Sequence, residues 1–154
     1  MNLRIYTDTS VIGGCLDIEF RVPSIRLFEK FKRGEAILVV SELTMLELAD
    51  APAKVGGVLS AAPEAHREYV EFTPEAKDLA ERYLEEGVIG PGKRIDAQHI
   101  AIATISRVDV LVSWNFSHIV NLARIRGYNS VNLRQGYPML EIRSPREVFS
   151  GEKS

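Results

Sequence analysis

The chain has 154 residues, a formal charge of −2, 45% apolar residues and 26% charged residues; that length fills one ordinary domain, and the mix excludes disorder and low complexity. It lacks the basic excess of most nucleic-acid binders, which counts against such a function except where a bound metal supplies positive charge locally. The lone cysteine, Cys15, excludes an internal disulfide or a thiolate metal cluster and fits a reducing cytoplasm; no apolar run reaches membrane-span length, and the opening MNLRIYTD enters a strand pattern without a signal-peptide core.

Residues 3–7 form a short β-rich run bounded by Asp8 and predict the first strand. Residues 8–14 read as a loop, with Gly13-Gly14 as its breaker. Over 24–33, Ile25, Leu27, Phe28 and Phe31 recur at helical spacing until Gly34, and that apolar face also offers a surface to a second copy of the chain. Residues 36–40 are a buried-strand run, and Ser41 then suits the N-cap of a helix carrying Leu43, Leu46 and Glu47. A short helix is expected over 52–62 and a brief strand over 69–73, with Pro74 in the first turn of a helix to about residue 86.

Ala97, Ile100, Ala101, Ala103, Thr104 and Ile105 predict a helix over 96–107 that is buried on a wide face. Residues 108–113 read as another buried strand, leading to Trp114-Asn115. A mostly helical stretch follows, then a last strand at 139–142 and a turn at 144–147. No repeat or linker divides residues 1–154, so one domain is expected. Strands alternating with helices, three of the strands continuously apolar, predict an α/β sandwich with a parallel sheet. In such sheets function gathers outside the carboxyl ends of the strands.

Four polar residues fall where that rule directs. Asp8 follows the first strand, Asn115 follows the strand at 108–113, and Asp96 opens the helix before that strand. Glu47 shares a helix face with Leu43, four residues earlier, and a carboxylate on an apolar face needs a metal or a basic partner. Glu42, about 140° away from Glu47 on the helical wheel, reads as a solvated residue. Carboxylates converging on one crevice repel each other until a divalent cation joins them, and Asp, Glu and Asn oxygens suit hard Mg²⁺ or Mn²⁺. Each residue also has a plainer reading: Asp8 and Asp96 as helix caps, Glu47 as a buried ion-pair partner, Asn115 as a turn residue. His99 and His118 read as ordinary core or surface histidines. Trp114 reads as packing, or as an aromatic at a crevice edge on which a base stacks.

The combination is more specific than its parts. Tyr6-Thr7-Asp8-Thr9-Ser10-Val11-Ile12 resembles the opening motif of PIN domains, and Ser41 to Leu48 resembles the second motif, whose final glutamate maps to Glu47. Asp96-Ala97-Gln98-His99-Ile100-Ala101 is similar to the third motif. Ser113-Trp114-Asn115-Phe116 is similar to the fourth, in its Trp-Asn-Phe form. The motifs appear in family order and span Asp8 to about Asn121, while the tail at 127–149 reads as subgroup-specific. The resemblance implies a three-layer α/β/α sandwich with a central mainly parallel sheet. It implies Mg²⁺- or Mn²⁺-dependent cleavage of single-stranded RNA, with Asp8, Glu47, Asp96 and Asn115 at the metal. It also implies a VapC-like toxin restrained by an antitoxin and assembled as a homodimer. Thr9, Ser10, His118 and Asn121 stand as substrate or supporting residues.

The fourth position, often aspartate in the family, is Asn115 here, which leaves three formal charges at the site. A weakly active or inactive PIN-fold module that binds RNA or protein is therefore the alternative. A dehalogenase-like phosphohydrolase also places an aspartate after its first strand. It carries Asp-x-Asp there, against Asp8-Thr9-Ser10 in this chain.

Overall fold

The computed structural model describes residues 2–148. Five strands form one all-parallel sheet: β1 (Leu3–Thr7), β2 (Ala36–Ser41), β3 (Arg67–Val70), β4 (Val110–Val112) and β5 (Ile142–Arg143), in the order β3-β2-β1-β4-β5. The chain runs outward from β1 to β3 on one side, then crosses to β4 on the other. The order therefore reverses between β1 and β4, where parallel sheets open a crevice at the carboxyl ends.

Helices cover both faces: α1 (Thr9–Gly14), α2 (Arg21–Lys32), α3 (Glu42–Ala49), α4 (Ala53–Ser60), α5 (Pro74–Glu85), α6 (Arg94–Ile105), α7 (Leu122–Arg134) and α8 (Pro145–Val148). Successive side chains of a strand point to opposite faces, and the two cores divide accordingly. Ile5, Leu38, Val40, Val110 and Val112 pack with residues of α1, α2 and α4. Tyr6, Val39, Leu111 and Ile142 pack with α5, α6 and α7. The continuously apolar runs are thus strands buried on both sides, and the expected three layers are present.

Ser41 caps α3 by accepting the Thr44 backbone N–H at 3.2 Å, and Thr73 caps α5 with Pro74 in its first turn. α4 and α5 also lie where expected. Several elements differ from the sequence reading, each for a local reason. Residues 9–14 are a helix, not a loop. Gly14 sits inside it because a Cβ would meet Ser24 Oγ at 2.6 Å and Trp114 Nε1 at 2.8 Å; this glycine permits close packing and breaks nothing. α2 begins at Arg21, since proline is tolerated in a first turn and Pro23 falls there. Arg107 adopts a left-handed φ of 56° behind α6, which delays β4 to Val110. Leu140 gives both backbone groups to the Asn129 side chain, so the last strand is Ile142–Arg143 and not 139–142. β3 lies at Arg67–Val70, two residues earlier than expected at its start.

Two expectations about surfaces are overturned. Leu46 is 62% exposed and does not join Leu43 on the buried face of α3. Leu27, Phe28 and Phe31 are buried in their own core, so of the α2 face that was to meet a second copy only Ile25 is exposed. Residue 149, the end of the tail set apart in the sequence, lies outside the described residues. No helix among the described residues is long and apolar enough to cross a membrane.

Candidate active site

Asp8 leaves β1 in extended conformation and enters the crevice between β1 and β4. It stands at the N-cap position of α1. Its carboxylate accepts the Ser10 hydroxyl at 2.6 Å and the Ser113 hydroxyl at 2.6 Å. Ser10 Oγ also accepts the Trp114 backbone N–H, and Ser113 Oγ the Asn115 backbone N–H. Two serines thus tie the ends of β1 and β4 to one buried acid.

Burial pushes the Asp8 carboxyl above its ordinary range, and His99 with the hydrogen bonds from Ser10, Ser113 and Val11 offsets this only in part. A carboxyl whose pKa is higher folded than unfolded adds stability below the unfolded value, and that stability is lost as pH rises through the folded value. Asp8→Asn should therefore be more stable than wild type at neutral pH in a chelating buffer. The advantage should vanish below about pH 4, near the unfolded carboxylate value. Urea denaturation across pH measures this, and an Asn variant less stable at pH 7 would refute the buried charge.

Glu47 lies about one and a half turns into α3, beyond the end of β2. Its Oε1 accepts the Thr9 hydroxyl at 2.7 Å and lies 2.7 Å from His99 Nε2. Burial raises this carboxyl, but the His99 contact and the Thr9 bond outweigh it and leave the group below its usual range. His99 is 3% exposed. Its Nδ1 lies 2.6 Å from the Tyr6 hydroxyl, which lies 2.8 Å from Ser41 Oγ. An ionised carboxylate has no proton to give, so His99 Nε2 carries the hydrogen and Tyr6 serves Nδ1. Ser41, Tyr6, His99, Glu47 and Thr9 form one chain of contacts from the core to the crevice.

Asp96 is the third residue of α6, whose N-cap is Lys93. It is therefore a first-turn carboxylate, favoured there by the positive end of the helix, and it does not open the helix as expected. Asn115 donates through Nδ2 to Asp96 Oδ2 at 3.3 Å and accepts the His118 backbone N–H on Oδ1 at 2.9 Å. The backbone donor fixes the orientation of the amide. Asn115 thus shapes its turn and touches Asp96 at once. Glu47 and Asp96 line an open cleft of ≈ 320 Å³ with Pro91, Gly92, Lys93, Arg94 and Ile95.

The supporting residues separate. Thr9 and Ser10 hold Glu47 and Asp8. Asn121 caps α7 by accepting the Arg124 backbone N–H at 3.3 Å. His118 has a buried Nδ1 without a hydrogen-bond partner, and its carbonyl accepts the Tyr128 hydroxyl. Glu42 is exposed and accepts the Phe72 backbone N–H. Trp114 is 5% exposed and belongs to the core, its indole donating to Ser24 at 2.8 Å. The sequence reading missed the role of Tyr6, His99 and Ser113. The signal available was His99 three residues after Asp96, among the small and apolar residues of α6.

Each carboxylate holds hydrogen-bond donors: serines on Asp8, Thr9 and His99 on Glu47, Asn115 on Asp96. Among the described residues no group of three or more His, Cys, Asp or Glu side chains is gathered to hold a metal ion. The donor chemistry nevertheless fits a hard divalent cation. All three side chains carry carboxylate oxygens, with two of them on one open cleft and the third in the same connected network.

No protein-family model and no curated protein matches the chain. Solved structures do. VapBC2 from Rickettsia felis, bound to a DNA fragment from its promoter, is 12% identical, with 92% of this chain and 98% of that chain covered at a TM-score of 0.59. VapC20 from Mycobacterium tuberculosis, a Sarcin-Ricin loop cleaving toxin, is 14% identical, with 73% of this chain and 89% of that chain covered at a TM-score of 0.51.

Proposed function

Because the chain has the PIN-like fold of the VapC toxins, we propose that it is a metal-dependent endoribonuclease that cuts single-stranded RNA. The observation that carries this reading is the pairing of Glu47 and Asp96 on one open cleft, joined through Asn115 and Ser113 to buried Asp8. Asp8 and Asp96 would hold Mg²⁺ or Mn²⁺ directly, with Glu47 reaching it through water; when bound, the ion supplies a Lewis acid and lowers the pKa of water. Glu47, with Oε1 fixed by Thr9 and His99, accepts the proton of the attacking water on its second oxygen. Lys93, on the rim of the cleft, meets the phosphate charge. Asn115 clamps Asp96 and adds no negative charge, which favours one ion over two.

The VapBC2 relative supports an antitoxin as protein partner, and a homodimer belongs to the same reading. A second reading, a PIN-fold module that grips RNA or protein without cutting, is favoured by the lack of a gathered three-acid cluster among the described residues. Incubating the protein with a circular single-stranded RNA and Mn²⁺ separates the two. An endonuclease linearises the circle. Retention of the circle on a protein that leaves it intact would favour the binding module.

A further inference from the structure

We propose that Phe116 and Arg146 form a stacking platform for a nucleobase of single-stranded RNA beside the cleft; this rests on the nuclease reading above. Phe116 is 47% exposed and directly follows Asn115, the residue that touches Asp96. The turn it occupies is fixed by the Ile119 and Val120 N–H groups, both donating to the Asn115 carbonyl. Arg146 lies on α8, just beyond β5, and is exposed. β4 and β5 are parallel neighbours, so both residues sit at the same carboxyl edge of the sheet as Asp8.

Trp114 joins them from beneath. The Phe116 ring meets it edge-on at 6.0 Å and 64°, and the Arg146 guanidinium carbon is 5.0 Å from its ring centroid. Phe20 stacks on Trp114 at 4.3 Å, and the indole is tied to Ser24. The Trp114 backbone N–H is held by Ser10, the same hydroxyl that bonds Asp8. The platform and the acid therefore share one anchor. An exposed aromatic seated against a buried one presents a flat apolar surface suited to a planar ligand. An adjacent arginine adds stacking and charge complementary to phosphate. Aromatic stacking with a basic side chain is how single strands are held without sequence readout.

The test compares wild type, Phe116→Leu, Phe116→Tyr and Arg146→Gln in Mn²⁺-dependent cleavage of a single-stranded oligoribonucleotide. Phe116→Leu keeps apolar bulk without a π-face, and stacking contributes about 5- to 100-fold per base. It should raise KM within that range with kcat little changed, while Phe116→Tyr stays near wild type. Arg146→Gln should weaken binding and reduce the salt slope by about one charge. On an oligomer of abasic ribose phosphates, wild type and Phe116→Leu should bind equally. A wild type that cuts RNA with an unchanged KM in Phe116→Leu overturns the platform alone and leaves this face to a protein partner. A wild type that neither binds nor cuts RNA overturns the nuclease reading as well.

Discussion

Asp96→Asn is expected to lower cleavage of single-stranded RNA by about 100-fold or more while leaving the fold intact. Outer-shell partners of a metal commonly contribute about 10- to 100-fold, and a direct ligand contributes at least that. The substitution keeps size and shape, and the side chain is only half-buried in the first turn of α6. The lost charge is one that the positive helix end favours, so stability should fall by no more than about 1 kcal/mol. The Asn115 contact at 3.3 Å survives with an amide oxygen as acceptor. Unchanged cleavage with an unchanged circular dichroism spectrum would remove Asp96 from the site.

The second large effect is expected at His99. His99→Leu preserves volume but takes a hydrogen-bond partner from both Tyr6 and Glu47. The wholly buried Tyr6 hydroxyl keeps Ser41 as a partner and loses one of its two hydrogen bonds, a loss of about 0.5–1.5 kcal/mol. Cleavage should fall about 10- to 100-fold, as Glu47 loses the N–H that fixes it. The double variant Tyr6→Phe/His99→Leu removes both polar groups at once. It should recover part of the stability, since apolar replacement of both partners is nearly neutral, but none of the activity. Recovery of both would assign His99 to packing alone, and recovery of neither would break the link between Tyr6 and His99. Urea denaturation and single-turnover cleavage measure the two quantities.

The layers were legible because burial on both faces leaves an unmistakable mark on a strand. Ala36 to Val40 alternates between the two cores yet is apolar throughout. Asp8 and Asn115 could be placed by the rule that loops at the carboxyl ends carry function, and both do flank the reversal in strand order. Local pattern failed where a tertiary contact decided the backbone. Gly14 looks like a breaker, but it is small because Ser24 and Trp114 press against it from far along the chain. Residues 139–141 look like the start of a strand until Asn129 takes the Leu140 backbone. The Tyr6–His99–Glu47 contacts span 93 and 52 residues in sequence, and no periodicity encodes a pairing at such separation. Trp114 takes the packing role read from the sequence, and the contacts that hold it inward come from Phe20 and Ser24, far off along the chain.

Asp8, Glu47 and Asp96 are proposed to form a metal-dependent nuclease site. The most direct test is a labelled single-stranded RNA incubated with the purified protein in Mn²⁺, in Mg²⁺ and in EDTA, beside Asp8→Ala. The expected result is cutting with at least one of the two ions, none in EDTA, and loss in Asp8→Ala. Cutting that survives EDTA or Asp8→Ala, or a folded wild type that cuts under none of these conditions, would contradict it.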